Sequence, residues 1–72
     1  MADVLAHITG TVWKIEVQPG AKVEEGQVLV ILESMKMEMP VEATVSGTVA
    51  EIKVKEGEAV DEGRVVAVID EG

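Results

Sequence analysis

Lys36 is the side chain whose setting most suggests chemistry. It lies in the stretch "ILESMKMEMPVE" (Ile31–Glu42), between Met35 and Met37, with Glu33 and Ser34 before it and Glu38 after it. A lysine amine accepts an acyl group only in its neutral form. With an ordinary pKa of about 10.4, roughly one lysine in a few thousand is neutral at pH 7. Nothing close in the sequence supplies a base. A second protein would therefore have to activate the acyl donor and deprotonate the amine in its own active site. An exposed position suits that arrangement, because another active site can close around it. The long side chain then becomes a tether that raises the effective concentration of its cargo at each site it visits. Met-Lys-Met alone is a weak signal, since an ordinary turn lysine beside two gap-filling methionines gives the same tripeptide.

The rest of the inventory points away from catalysis. His7 near Asp3 is a nominal acid–base pair, but a surface or strand-packing histidine is the preferred reading. The chain has no cysteine, which excludes disulfides, thiolate catalysis and zinc-finger chemistry. The glycines are spaced for hairpins and form no phosphate loop. No metal-ligand cluster is visible. The chain reads as a non-catalytic module.

The position of Lys36 is what lends it weight. Val4–Glu33 aligns without gaps on Val41–Asp70, with Val4 on Val41, a constant offset of 37 residues. Identical pairs include Val4/Val41, Ala6/Ala43, Gly10/Gly47, Val12/Val49, Ile15/Ile52, Val17/Val54, Gly20/Gly57, Gly26/Gly63 and Val28/Val65. Lys36 falls in the unrepeated link between the halves. Glycines mark the turns, and Pro19-Gly20 suits a type II turn, whose second central residue needs positive φ. No stretch has sustained helical spacing. About four short strands per half are expected, in an all-β flattened barrel or sandwich of two antiparallel sheets with a pseudo-two-fold repeat. The symmetry mate of the Lys36 segment falls at the chain ends, so Lys36 is expected opposite the termini.

Strict alternation in the second strand puts Thr11, Trp13, Ile15 and Val17 on one face and Val12, Lys14 and Glu16 on the other. Trp13 is then a core residue whose bulk fills space left by the equivalent Ala50. Around Lys36, a two-residue loop of Met35-Lys36 would set Ser34 opposite Met37, Glu33 opposite Glu38 and Leu32 opposite Met39. Met-Lys is poor chemistry for such a turn, and facing glutamates repel. A longer loop would remove both tensions.

Composition bounds the rest. At 72 residues one domain, 1–72, is expected. A chain of this size buries only about 60% of its unfolded surface. With one Trp and no Phe or Tyr, its core must be aliphatic. Fourteen acidic residues against six basic ones give a formal charge of −8, which repels nucleic acid and anionic membrane surfaces. The longest apolar runs, such as Val28–Leu32, are too short to span a bilayer. No basic and then apolar leader follows Met1, and a cytoplasmic location is expected.

The sequence resembles a biotinyl domain of the biotin/lipoyl carrier family, and the resemblance covers nearly the whole chain. It rests on "GTVWKIEVQPGAKVEEGQVLVILESMKMEMPVEATVSGTV" and "VKEGEAVDEGRVVAVI". The family motif Glu-Ala-Met-Lys-Met stands here as Glu33-Ser34-Met35-Lys36-Met37. The resemblance implies that Lys36 carries biotin through a side-chain amide. It also implies that Met35 and Met37 help a biotin protein ligase choose that lysine, with biotin carboxylase and carboxyltransferase components as further partners. Glu33, Ser34 and Glu38 complete the segment a ligase would read. Two departures stand out. The family often has Ala-Pro where this chain has Ala6-His7 and Ala43-Thr44, and Ser34 replaces the commoner alanine. Lipoyl domains share the fold, usually with Asp-Lys-Ala at the lysine, so lipoate is the alternative cofactor.

Overall fold

The computed structural model describes all residues, 1–72, as eight strands and no helix. They are β1 (Ala2–Leu5), β2 (Gly10–Ile15), β3 (Lys22–Val23), β4 (Val28–Ser34), β5 (Met37–Glu42), β6 (Gly47–Ile52), β7 (Ala59–Val60) and β8 (Val65–Asp70). One antiparallel sheet has the order β1-β8-β6-β3 and the other β5-β4-β2-β7. Moving along the chain by the repeat offset carries β2 onto β6, β3 onto β7, β4 onto β8 and β1 onto β5. The internal repeat thus exchanges the two sheets. The β4–β5 hairpin is the counterpart of the β8–β1 pair, where the Met1 amine lies 4.0 Å from the Glu71 carboxylate.

The sheets close on one aliphatic cluster that includes Val4, Val12, Leu29, Val30, Leu32, Val49, Val66 and Ile69. No polar side chain is buried. The corners join the halves. At Gln18–Ala21, the Ala21 N–H donates to the Gln18 carbonyl at 3.0 Å and Gly20 has φ of 94°, the predicted type II geometry. Corner N–H groups also cross to the other half, Gly20 to the Val49 carbonyl and Gly57 to the Val12 carbonyl. No helix of the structure is long and apolar enough to cross a membrane.

Strict alternation fails in β2, and the reading of Trp13 as a core residue is corrected. The β2–β4 register runs Val12↔Leu32 and then Lys14↔Ile31, so Trp13 and Lys14 together oppose Ile31 in a β-bulge. The bulge inverts the side-chain parity. Val12 and Val17 both reach the core, and Trp13 stays 49% exposed. β6 repeats the bulge between Val49 and Glu51, with Ala50 in the place of Trp13. Trp13 and Ala50 do not fill one another's space, because both sit at bulges outside the core.

Gly10 opens β2 for a steric reason. A Cβ there would lie 2.6 Å from the Glu33 carbonyl oxygen, near the tip of the β4–β5 hairpin. Gly10→Ala is expected to lower the unfolding free energy by about 1–3 kcal/mol in urea melts, because one strand must move off the other. An unchanged midpoint would mean that the close approach carries no cost.

At the corner before β7, the Lys55 N–H donates to the Glu58 carboxylate at 3.0 Å, and the Arg64 guanidinium lies 3.0 Å from its other oxygen. The backbone bond first, and Arg64 second, hold this carboxyl below its usual value of 4.5. The resulting stabilisation is present above the ordinary carboxylate range and is lost as pH falls through it. Glu58→Gln should flatten that part of the stability-versus-pH profile. A profile identical to that of the parent would assign the acid sensitivity to other groups.

Candidate functional site

The β4–β5 hairpin has the register expected for a two-residue loop: Leu32↔Met39, Glu33↔Glu38 and Ser34↔Met37. Met35 and Lys36 form the turn between them, with φ of 53° and 64°, the only positive-φ residues in the chain other than glycines. Two left-handed central residues match the twist of a tight hairpin. Neither residue has the glycine or asparagine chemistry that makes this conformation inexpensive. Both tensions read in the sequence are therefore real. The alternative of a longer loop is not adopted, because β4 and β5 stay paired up to Ser34 and Met37.

Alternation then sorts the neighbours of Lys36. Ser34, Met37 and Met39 turn to the inner side with Ile8, lining with Met35 a shallow apolar cleft of about 160 Å³. Glu33 and Glu38 face each other on the outer side, both exposed. Neither glutamate is in an ion pair, and neither is Lys36. Lys36 is exposed, Met35 is 91% exposed and Met37 60% exposed. All six residues singled out in the sequence (Glu33, Ser34, Met35, Lys36, Met37 and Glu38) thus gather at one hairpin end. Sequence reasoning missed Ile8 and Met39 as walls of the inner cleft. Met39 is two residues beyond Met37 on the same strand face, and that spacing was the available signal.

The remaining candidates form no second site. His7 is exposed at the seam between the edges of β1 and β5, beside Glu42 and Thr44. No ion pair joins it to Asp3. No group of three or more His, Cys, Asp or Glu is placed to hold a metal ion. The arrangement offers an exposed lysine at the tip of a hairpin paired up to its turn, with no pocket around it to hold a free ligand.

A family model described as "Biotin-requiring enzyme" matches residues 1–69. The chain belongs to the biotin/lipoyl family. It is similar to a biotin/lipoyl attachment protein of Bacillus subtilis (strain 168), 49% identical over 40 residues, which cover 56% of this chain and 55% of that protein. It is also similar to the methylcrotonoyl-CoA carboxylase alpha subunit of Oryza sativa subsp. japonica, 49% identical over 41 residues, 57% of this chain and 6% of that one. Among solved structures, the Kluyveromyces lactis urea carboxylase superposes with a TM-score of 0.91 and 42% identity, over 96% of this chain and 6% of that chain. The match to the Bacillus protein spans about half of its length. The all-β two-sheet fold of this family member agrees with the fold read from the sequence.

Strain at the tip has a measurable consequence. Replacing Met35-Lys36 by Asn-Gly supplies the residues this turn prefers, and should stabilise the chain by about 1–3 kcal/mol in thermal or urea melts. A double variant no more stable than the parent would mean that the turn stores no strain.

Proposed function

We propose that the chain is a non-catalytic carrier of biotin, attached by an amide to Nζ of Lys36. The observation that carries this reading is the exposed, unpaired Lys36 at the left-handed tip of a two-residue hairpin, between Met35 and Met37. Membership of the biotin/lipoyl family and similarity to biotin-dependent carboxylases support it. The residues present fit such a group. A covalent arm needs an accessible amine on a fixed platform and no enclosing cavity, and that is the geometry at the tip.

In this reading a biotin protein ligase recognises Glu33, Ser34, Met35, Met37 and Glu38 and acylates the Lys36 amine. Nζ attacks an activated carboxyl, the N–C bond forms as the activating group leaves, and the displaced proton passes to the ligase or to water. Biotin, once attached, supplies a ring nitrogen that takes up a carboxyl group and hands it on. The chain's own residues do the rest. The aliphatic core and the paired strands hold the tip rigid. The lysine stem gives reach between a carboxylase site and a carboxyltransferase site, which raises local concentration at each. The chain itself contributes no acid, base or metal, and the cofactor carries the chemistry. Cytoplasmic ligase and carboxylase components are the partners this role requires.

Intact-mass measurement after incubation with biotin, ATP and a biotin protein ligase tests the reading. A single biotinyl increment is expected, absent from Lys36→Arg. A lipoyl increment with lipoate and a lipoate ligase, in place of the biotinyl one, would reassign the cofactor. No increment with either ligase would remove the carrier function.

A further inference from the structure

The two halves are superposable in sequence and pairing, so the places where they differ on exposed surface are informative. On the outer face of the hairpin sheet, ladder pairing sets Lys14, Ile31 and Pro40 in one row across β2, β4 and β5. Trp13 bulges beside Lys14, opposite the same Ile31. The next row toward Lys36 brings Glu33 against Glu38. The repeat offset converts Trp13, Ile31 and Pro40 into Ala50, Val68 and Asp3 on the other sheet, and Lys14 into Glu51. The hairpin sheet therefore carries an apolar patch of Trp13, Ile31 and Pro40 beside the cationic Lys14, and the equivalent positions carry Ala50, Val68, Asp3 and Glu51, with no aromatic residue and two acidic ones. Trp13 is 49% exposed at a bulge and contributes nothing to the core cluster that would explain its size there.

We propose that this outer face, with Ile31 at its centre, Trp13 at its β2 end and Glu33 and Glu38 at the edge nearest Lys36, is the docking surface for the ligase that acylates Lys36. The inference rests on the carrier reading. A ligase meets the chain before any cofactor is attached, so its affinity must come from protein surface. The apolar patch of Trp13, Ile31 and Pro40 fits a complementary apolar pocket, and tryptophan is among the residue types most enriched at binding hot spots. Glu33 and Glu38 repel one another and have no counter-ion in the chain. A partner with basic residues at that edge relieves the repulsion and is drawn to a chain of net charge −8. The surface is continuous with the lysine tip, so docking there sets Lys36 at the partner's active site.

The test uses the full chain with a biotin protein ligase, biotin and ATP. The rate of biotin transfer is read by mass for the parent, Trp13→Ala, Glu38→Lys and the mirror-face control Glu51→Lys. In parallel, Trp13 is replaced by 5-fluorotryptophan, which gives a single fluorine resonance because the chain has one Trp. The expected result is a KM raised about tenfold in Trp13→Ala with kcat unchanged. KM should also rise in Glu38→Lys, stay at the parent value in Glu51→Lys, and the fluorine line should shift on ligase addition. A KM for Trp13→Ala within twofold of the parent, with an unmoved fluorine line, overturns the docking surface while leaving biotinylation intact. A line that moves with the chain's own concentration and not with ligase assigns the face to self-association and also overturns it. Absence of any biotinyl increment in the parent is a distinct result, which removes the carrier reading on which the inference rests.

Discussion

Reciprocal backbone hydrogen bonding between the two halves is the constraint from which the rest follows. The Gly20 N–H donates to the Val49 carbonyl at 2.8 Å, and the Gly57 N–H donates to the Val12 carbonyl at 2.7 Å. Gly26 bonds to Ala43, and Gly63 bonds to Ala6, in the same exchanged fashion. Side chains repeat the pattern, with the Ser46 hydroxyl accepting from the Glu25 N–H and the Thr9 hydroxyl accepting from the Glu62 N–H. Each half thus supplies the partners that the corners of the other half require, because a buried backbone group without a partner is costly. Neither half satisfies all of its own corner groups, although each closes its turns internally, as Ala21 does on Gln18 and Arg64 on Asp61. The repeat is the sequence record of that mutual dependence.

The same scaffold explains how an unfavourable hairpin tip persists. Met35 and Lys36 occupy a conformation that L-residues avoid, and Glu33 faces Glu38 one pair further in. Inward of these, Leu32 and Val30 are fully buried and locked in register with Met39 and Val41. A shift by one residue would turn those core side chains to solvent, so the register holds and the tip takes the strain. Gly10 adds to the clamp by letting β2 pass close beneath Glu33 and Ser34. A lysine on such a tip is exposed beyond strands that stay paired up to Ser34 and Met37.

Departures from the repeat mark where the two halves differ in what they expose. The chain ends stand in the second sheet where the lysine hairpin stands in the first. Both sheets share the bulge that takes Trp13 and Ala50 off the core side, so the bulge belongs to the fold. Tryptophan at that position does not, since alanine serves the equivalent bulge.

The choice between a two-residue loop and a longer one around Lys36 was left to the folded chain, whereas the strand count, the two-fold repeat and the type II corner at Pro19-Gly20 were legible in the residues alone. These follow from residue identity at fixed spacing, which local stereochemistry and a constant offset make readable. The gathering of Glu33 to Glu38 at one tip was legible for the same reason, because all six residues lie on one hairpin. Only the tertiary structure decided the side on which Trp13 lies, the closeness of Gly10 to Glu33, and the meeting of Ile8 with Met37 and Met39. A warning was present in the repeated pairs Val12/Val49 and Val17/Val54, since an odd spacing cannot keep two core residues on one face of a regular strand. Where the extra residue is absorbed depends on pairing with β4 and β8, and pairing across a sheet is a property of the folded chain that spacing along one strand does not encode.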